Sequence, residues 1–96
     1  MYNISVAVEF RWIQWNVEHI SEHGISVPEA EYVVSRPARG YPRQSGDERW
    51  LVRGRTRDGR YIQVAYLIRS PQGKKEAFVI HARPLTDRER HNLRTR

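Results

Sequence analysis

The stretch of sequence that decides the fold runs from residue 49 to residue 69 and reads RWLVRGRTRDGRYIQVAYLIR. Arg57-Asp58-Gly59 has the composition of a turn, and the segments on either side, 49–57 and 60–69, are rich in β-branched and aromatic residues. A three-residue loop with Gly59 in the left-handed conformation joins two such segments as an antiparallel hairpin. The side chains predicted to face the core of this hairpin are Trp50, Val52, Ile62, Val64 and Tyr66.

A third strand is predicted next to this hairpin. Residues 76–83 follow Ser70-Pro71-Gln72-Gly73, a second turn sequence, and strand alternation places Phe78 and Ile80 on the core face. The other face of the three strands then carries Arg53, Arg55, Tyr61, Gln63, His81 and Arg83. The pattern therefore predicts a sheet that is apolar on one face and cationic on the other.

The N-terminal segment predicts one more strand and a helix. Residues 3–10 alternate between apolar and polar side chains, which indicates a half-buried strand. A helix is predicted from Gln14 to His23, and Gly24 follows it where a left-handed cap is expected. The apolar residues that have the spacing of one helix face are Ile13, Val17 and Ile20.

Two capping-box sequences mark the starts of further helices. Ser26-Val27-Pro28-Glu29 begins a second helix, which ends before Pro37, and Thr86-Asp87-Arg88-Glu89 begins a C-terminal helix. The Pro- and Gly-containing segment 36–48 is predicted to be a loop with at most a short edge strand. We therefore predict a single α+β domain over residues 1–96, with an antiparallel sheet, an N-terminal helical hairpin and a C-terminal helix.

The charge of the chain is unevenly distributed along the sequence. The formal net charge is +6. Residues 1–35 contain one basic residue and five acids, a net charge of −4, whereas residues 36–96 contain sixteen basic residues and six acids, a net charge of +10. Nearly all the basic residues are arginine, whose planar guanidinium matches phosphate oxygens. This distribution predicts a polyanionic partner such as RNA.

The sequence favours a cytoplasmic location without a membrane partner. The chain has no cysteine, so disulfides and thiolate metal sites are excluded. No apolar run approaches the roughly 20 residues that cross a bilayer. The N-terminal residues Met1-Tyr2-Asn3-Ile4 lack the basic-then-apolar layout of a signal peptide.

One motif indicates a metal site, and it has a simpler alternative. His19-Ile20-Ser21-Glu22-His23 spells H-x-x-E-H, the zinc-binding order of the inverzincin peptidases. Histidines at i and i+4 share a helix face, but a catalytic zinc needs a third protein ligand and a cleft. We favour the interpretation that both histidines pack or form hydrogen bonds at the helix end. No metal or other cofactor is therefore predicted.

The predicted cationic face has the residue types that metal-free RNA cleavage requires. Such cleavage needs a base for the 2′-hydroxyl, a proton donor for the leaving 5′-oxygen and cations for the phosphate. His81 suits proton transfer near neutral pH, and Arg83, two residues further on the same strand face, suits the phosphate. Arg53 and Arg55 extend the surface for RNA binding. A basic face that only binds RNA or a protein partner explains these residues equally well.

Two other groups of residues have alternative interpretations that the sequence leaves open. Glu48-Arg49 at the start of the hairpin is either a weak surface ion pair or a source of a catalytic carboxylate beside the cationic face. Trp12, Trp15 and Trp50 are either platforms for base stacking or parts of the core. We predict that at least two of the three tryptophans belong to the core.

From about Phe10 to Arg90 the chain contains a series of short segments that together match one protein family. The N-terminal segments that carry the resemblance are Phe10-Arg11-Trp12, Trp15-Asn16, His23-Gly24-Ile25-Ser26 and Glu29-Ala30-Glu31. The central segments are Gly46-Asp47-Glu48-Arg49-Trp50, Gly54-Arg55-Thr56 and Asp58-Gly59-Arg60. The C-terminal segments are Ile80-His81-Ala82-Arg83 and Thr86-Asp87-Arg88-Glu89-Arg90. The order and spacing of these segments are more specific together than any one segment alone. By them the chain resembles the BrnT family of ribonuclease toxins.

The resemblance implies a RelE-like fold and the toxin component of a toxin–antitoxin system. Such a toxin blocks translation as a metal-independent RNA endonuclease. Its partner is a cognate antitoxin, typically one with a ribbon-helix-helix DNA-binding domain, and operator DNA is bound only through the complex. The expected catalytic residues are His81, Arg83 and Glu48, and the expected RNA-binding residues are Arg49, Arg53 and Arg55. The alternative is a non-catalytic module of the same fold that binds RNA or the antitoxin.

Overall fold

A five-stranded mixed sheet and three helices make up residues 8–95, the part of the chain that the computed structural model describes. In chain order the elements are β1 (Glu9–Phe10), α1 (Gln14–Ser21), α2 (Val27–Ser35), β2 (Arg43–Gly46), β3 (Arg49–Arg55), β4 (Tyr61–Arg69), β5 (Glu76–Pro84) and α3 (Asp87–Arg94). The strand order across the sheet is β1-β5-β4-β3-β2. The predicted α+β class is confirmed, and the short edge strand expected in the loop before the hairpin is β2.

The central hairpin forms as the sequence predicts. β3 and β4 are antiparallel, with register pairs from Arg49↔Leu67 to Arg55↔Tyr61. The backbone N–H of Thr56 donates to the carbonyl of Arg60 at 2.7 Å, which leaves a three-residue loop. Gly59 in that loop has a φ of +96°, a conformation that glycine adopts without strain. The hairpin residues whose side chains are buried in the core are Val52, Ile62, Val64 and Tyr66.

The prediction of an antiparallel sheet is wrong at one edge. β1 pairs with β5 in parallel, with Glu9 opposite Glu76 and Phe10 opposite Ala77. Most of the chain lies between these two strands, so no hairpin turn fixes their relative direction. Alternation of apolar residues predicts a strand but does not predict the direction of its neighbour. Of the predicted strand over 3–10, residues 3–7 lie outside the described residues.

The predicted core face of β5 is wrong by one residue in its first half. Ala77 and Val79 are fully buried there, whereas Phe78 and Ile80 are only partly buried. The register shifts between Ala65 and Tyr66, which pair with His81 and Val79 respectively, so Ile80 is the extra residue of a β-bulge. The bulge resets the alternation, and Ala82 is again buried. A single-strand pattern has no signal for such an insertion.

The helix α1 forms, but its buried face differs from the predicted stripe. Ile13 and Val17 are 41% and 38% exposed, whereas Asn16 and Ile20 are fully buried. The Asn16 side-chain amide donates to the carbonyls of Arg11 and Val79, each at 3.1 Å, and its Oδ1 accepts from the N–H of Ile13 at 2.7 Å. Because these bonds satisfy the buried amide, α1 turns a polar residue toward β5 rather than an apolar one.

Both predicted capping boxes are confirmed. Ser26 Oγ accepts from the N–H of Glu29 at 3.3 Å, and the Glu29 carboxylate accepts from the N–H of Ser26 at 3.0 Å. Thr86 and Glu89 make the equivalent pair of bonds at 3.1 and 2.9 Å. These reciprocal bonds satisfy N–H groups that a helix start leaves without a partner. They fix the first residues of α2 and α3.

The helices cover the two faces of the sheet unequally. One face packs against α1 and α2, and the helix-side residues of this core are Ile20, Ile25, Ala30 and Val33. α3 lies over the opposite face and has no buried residue. Trp12 and Trp50 pack against the core, whereas Trp15 is 50% exposed, so the prediction of at least two core tryptophans is confirmed. No helix in residues 8–95 is long and apolar enough to cross a membrane.

Candidate active site

His81 and Arg83 lie on the sheet face opposite the core. Their neighbours in the sequence, Val79 on one side of the bulge and Ala82 between them, are fully buried. His81 pairs across the sheet with Ala65. Arg83 is half-buried and pairs with Gln63, in the next row whose side chains point to the same face. The predicted orientation of the two residues is correct because the bulge moves the second half of β5 back into phase.

Three histidines meet at the β5 edge of this face. The ring centroids of His23 and His81 are 5.2 Å apart, and those of His19 and His81 are 6.2 Å apart. Trp15 stacks on His19 at 4.8 Å and lies parallel to the ring of Phe78 at 6.2 Å. We call His19, His23 and His81 the histidine cluster. It joins His19 of α1 and His23, which lies in the turn after α1, to a side chain of β5.

The local structure around Asn16 is what brings the cluster together. Asn16 binds the edge carbonyl of Val79 across 63 residues of sequence, which places α1 along the free edge of β5. His19 and His23 are four residues apart and therefore project from the same side of the chain as it leaves α1. The side chains of His19 and His23 therefore contact His81. Neither histidine was predicted to meet a third.

The environment of His81 favours its neutral form. Partial burial lowers the pKa of His81 below its usual value of 6.5, and repulsion from His23, His19 and Arg83 lowers it further. Desolvation disfavours a charged imidazole, and nearby positive charge acts in the same direction. The His81 imidazole is therefore neutral at pH 7, with one ring nitrogen able to accept a proton.

Glu89 bridges two arginines on the same face. Its carboxylate accepts two parallel bonds from the guanidinium of Arg83, both 2.8 Å, and one from Arg53 Nη2 at 3.1 Å. Arg53 Nε also donates to the side-chain oxygen of Gln63 at 2.9 Å. Arg53, Gln63 and Arg83 occupy one register row across β3, β4 and β5. We call Arg53 and Arg83 the arginine pair.

The arginine pair changes the ionisation of Glu89 and the docking of α3. Hydrogen bonds from Arg83 and from the backbone N–H of Thr86 lower the pKa of Glu89 from 4.5 to about 2, and the charges of Arg83 and Arg53 add to this effect. Donation of these hydrogen bonds to Glu89 raises the pKa of Arg83. One carboxylate thus begins α3 and attaches it to the sheet.

Glu48 and Arg49 lie away from the histidine cluster. Leu51 shares a register row with Ala65 and His81, and Glu48 precedes Leu51 by three residues. With about 3.3 Å per residue and about 4.8 Å for each of two strand spacings, the backbones of Glu48 and His81 are about 14 Å apart. The structure therefore does not bring the Glu48 carboxylate to His81 or Arg83. Both Glu48 and Arg49 are exposed.

Arg55 lies one row beyond the arginine pair. It is two positions after Arg53 on β3, with Gly54 between them, so both project from the same sheet face. Its guanidinium carbon is 5.7 Å from the ring centroid of Tyr61, which is a cation–π contact. Of the six predicted site residues, the structure thus groups three cations with His81 and leaves two residues at the other end of the sheet.

Sequence reasoning missed three members of this site. His19 and His23 were considered only as zinc ligands or as side chains at a helix end, and Glu89 only as half of a capping box. The contacts of the two histidines with His81 and of Glu89 with Arg53 span 36 residues or more, although Glu89 also binds Arg83 six residues away. The one sequence signal was the i, i+4 spacing of the histidines on a helix followed by a cationic strand.

The H-x-x-E-H motif does not form a metal site in the described part of the chain. Within residues 8–95, no group of three or more histidines, cysteines, aspartates or glutamates has an arrangement that could hold a metal ion. Glu22 of the H-x-x-E-H motif is exposed, and the motif's two histidines meet His81 instead. Comparisons with models of protein families and with curated proteins found no match for the chain.

The arrangement is suited to proton transfer beside a bound anion. A neutral imidazole can accept a proton, and an adjacent imidazole can supply one. Arg83 has five N–H groups, of which three are used in the bonds to Glu89 and to the carbonyl of Pro84. Two N–H groups of a fixed guanidinium thus remain for an oxyanion. Arg53 adds a second positive charge in the same row.

Proposed function

We propose that this protein is a metal-independent endoribonuclease, the toxin of a toxin–antitoxin pair that blocks translation by cleaving RNA in the cytoplasm. The observation that carries the proposal is the meeting of the histidine cluster and the arginine pair on one sheet face. RNA supplies both of the groups that such a site recognises, a phosphodiester and the 2′-hydroxyl beside it. The resemblance to the BrnT family, with its RelE-like fold, supports the same function.

In the proposed mechanism His81 is the base. Its neutral imidazole takes the proton of the 2′-hydroxyl, and the resulting oxygen attacks the adjacent phosphorus. The bond from phosphorus to the 5′-oxygen breaks, and His23 donates a proton to that leaving oxygen. The products are a 2′,3′-cyclic phosphate and a free 5′-hydroxyl. The lowered pKa of His81 beside His23 supports this division of roles, because repulsion disfavours two charged imidazoles at once.

Arg83 stabilises the charge that grows on the phosphate during attack. Its bidentate pair with Glu89 fixes the plane of the guanidinium, so little reorganisation is needed when the phosphate arrives. Arg53 and Arg55 bind neighbouring phosphates along β3. We assign Glu48 no chemical step because of its distance from His81, and we keep Arg49 as an RNA contact at the end of the path.

The proposed protein partner is an antitoxin that covers the basic part of the chain. The net charge of +10 on residues 36–96 supports an acidic partner, because complementary potentials guide and speed docking. By the same resemblance the antitoxin carries a ribbon-helix-helix domain, and operator DNA is bound only through the complex. Hydrogen exchange with the partner bound is expected to protect β3–β5 and α3 more than α1.

A second candidate function is a non-catalytic module that binds RNA or the antitoxin. The observation that favours it is the Glu89 bridge, since this carboxylate compensates part of the positive charge of Arg53 and Arg83. In this alternative the sheet face is a docking surface and His81 has no proton to transfer. The two functions differ in one product, the cyclic phosphate.

The test is an RNA cleavage assay with the purified protein in EDTA. Active protein is expected to produce fragments ending in a 2′,3′-cyclic phosphate, and His81→Ala is expected to bind the same RNA without cutting it. Binding without any cleavage by the natural chain would establish the second candidate instead. Strict dependence on added Mg²⁺ or Zn²⁺ would contradict the proposed mechanism.

A further inference from the structure

A second group of arginines surrounds Tyr32 at the end of the β3–β4 hairpin. Three adjoining grooves of about 450, 330 and 340 Å³ all include Tyr32 in their walls. They run from the start of α2, past the hairpin loop, to the last turn of α3. The residues that define this surface, the Tyr32 groove, are Tyr32, Arg36, Arg55, Arg57, Tyr61 and Arg94.

Arginine and tyrosine side chains stack on one another in this groove. The guanidinium carbons of Arg36 and Arg57 both lie 5.1 Å from the centroid of the Tyr32 ring. Arg55 lies in the same way beside Tyr61, at 5.7 Å. A cation–π contact holds the plane of a guanidinium near a ring without using its N–H groups as donors. The donors stay available to an anion.

The positive charge of the groove is not compensated as it is elsewhere. Within residues 8–95, Arg36, Arg55, Arg57 and Arg94 make no salt bridge. By contrast, the arginines that do pair with a carboxylate are Arg53, Arg60, Arg83 and Arg90. Glu29 also lines the groove, but Arg60 already neutralises it at 2.9 Å. Asp58 is the one other acid in its walls, so the groove has a net charge of +3.

The groove continues the surface of the candidate active site. Arg53 shares a row with Arg83, and Arg55 is two residues further along β3, about 6.6 Å away at strand spacing. Arg55 is at once the next cation after the arginine pair and a wall of the groove. A chain of phosphates that begins at Arg83 therefore has a continuous cationic path to Tyr32.

We infer that the Tyr32 groove binds single-stranded RNA on one side of the cleavage position. Its arginines contact the phosphates, and bases stack on the exposed guanidinium groups of Arg36 and Arg57, which the Tyr32 ring holds in place. The inference rests on the proposed function, because it takes RNA as the ligand of this face. It extends that function from a cleavage site to a path that holds several nucleotides.

The chemistry of the groove favours RNA over an acidic protein segment. Carboxylates would need only the arginines, whereas the paired rings and planar guanidinium groups match unstacked bases. Proteins that bind single-stranded nucleic acid without base-specific hydrogen bonds combine planar side chains, on which bases stack, with cationic side chains that contact the phosphates. A groove of this kind is expected to bind single strands of any sequence.

The test measures binding separately from cleavage. The probe is a fluorescent 2′-O-methyl oligonucleotide, which lacks the attacking hydroxyl and cannot be cleaved. Its affinity for the natural chain and for the double variant Arg36→Gln/Arg57→Gln is measured by anisotropy over a range of salt. The control is Arg43→Gln, because Arg43 also stacks on a tyrosine, Tyr41 at 4.4 Å, but lies on β2 outside the groove. Tyr32→Leu removes the ring and keeps the charge.

The salt slope is the change in log K for a tenfold change in salt concentration. For each phosphate contact that the double variant loses, this slope is expected to fall by about 0.7. The resulting loss of affinity is then about fivefold larger per contact at 0.1 M salt than at 1 M salt. Arg43→Gln is expected to match the natural chain within twofold, and Tyr32→Leu to weaken binding with the salt slope unchanged. Equal affinity and slope for the double variant and the natural chain would overturn the inference, even if the natural chain cleaves RNA. Binding that depends on Arg36 and Arg57 would support it, even if no cleavage occurs.

An oligoglutamate peptide tests the alternative ligand of the groove, an acidic protein segment. If this peptide binds and requires Arg36 and Arg57 while the oligonucleotide does not, the groove is a site for an acidic protein segment and the inference is overturned. If neither probe binds, both the inference and the proposed function lose their support. Thermal unfolding of each variant shows whether a loss of binding reflects a loss of fold.

Discussion

The two helices beside the candidate site are attached to the sheet in different ways. α1 is anchored by a fully buried amide, Asn16, and a fully buried apolar side chain, Ile20. α3 has no buried residue and is attached through one carboxylate, Glu89, to two arginines whose side chains are 20% and 30% exposed. α1 contributes imidazoles to the site, and α3 contributes the charge that positions the arginine pair.

The difference predicts how each half of the site responds to its surroundings. Buried hydrogen bonds and apolar contacts depend little on salt or pH near neutrality. Exposed ion pairs weaken with salt and disappear when the carboxylate is protonated. The attachment of α1 is therefore expected to change little with salt, whereas the attachment of α3 is expected to weaken as the salt concentration rises.

The largest expected effect is on catalysis, in the histidine half. His81→Ala is expected to lower the rate of RNA cleavage by about 10²–10⁴-fold, because a positioned proton-transfer group typically contributes that much. The melting temperature should change little, because His81 lies on the face opposite the core. The control is His91→Ala, an exposed histidine of α3, which should keep full activity. A fully active His81→Ala protein would contradict the assignment.

The next effect is on stability, at the anchor of α1. Asn16→Ala leaves the partly buried N–H of Ile13 and the buried carbonyl of Val79 without their partner, which costs about 1–3 kcal/mol. For a domain of this size each kcal/mol lowers the melting temperature by about 4–8 °C. The control on the same helix is Gln14→Ala, whose exposed amide donates to the carboxylate of Glu18. Equal melting temperatures for the two variants would refute the anchoring role of Asn16.

A smaller, pH-dependent effect is expected at the anchor of α3. The pKa of Glu89 is lowered to about 2 from 4.5, so its ionised form stabilises the fold fully above pH 4.5 and progressively less as the pH falls toward 2. The difference in melting temperature between the natural chain and Glu89→Gln should therefore be present at pH 7 and vanish near pH 2. Asp87→Asn is the control, since it removes an equal charge from the same helix at a more exposed position.

The same variant tests the second candidate function. Glu89→Gln releases Arg53 and Arg83 from their carboxylate, so RNA should bind more tightly and with a steeper salt dependence if these arginines contact phosphates. Cleavage should nevertheless slow, since Arg83 loses the group that fixes its plane. Unchanged affinity would show that neither arginine contacts RNA.

The smallest effect is expected within the histidine cluster. The neutral imidazole of His81 is favoured in the folded protein, so its contribution to stability is present above pH 6.5 and is lost as the pH falls through its lowered pKa. His23→Ala removes part of the repulsion and should move the NMR titration of His81 to higher pH. His91→Ala should leave the titration of His81 unchanged.

Sequence patterns predicted the parts of this protein that depend on neighbours within a few residues. The capping boxes at Ser26 and Thr86 and the Gly59 loop are bonds between residues three or four apart, and all are present as predicted. The hairpin core was also predicted, because strand alternation and a loop of known length fix its register. The predicted core face of β5 was wrong in its first half, because the alternation of apolar and polar residues in the sequence does not reveal the bulge at Ile80.

The sequence by itself determined the elements, the cationic character of one sheet face and the presence of His81 and Arg83 on it. Only the tertiary structure decided that β1 runs parallel to β5, that α1 places His19 and His23 beside His81, and that Glu89 holds Arg53 and Arg83. The physical reason is the range of the interactions. Helix caps, turns and strand alternation act over a few residues, whereas the Asn16–Val79 and Arg53–Glu89 bonds join residues 63 and 36 positions apart. Such contacts exist only after the sheet and its helices have packed together.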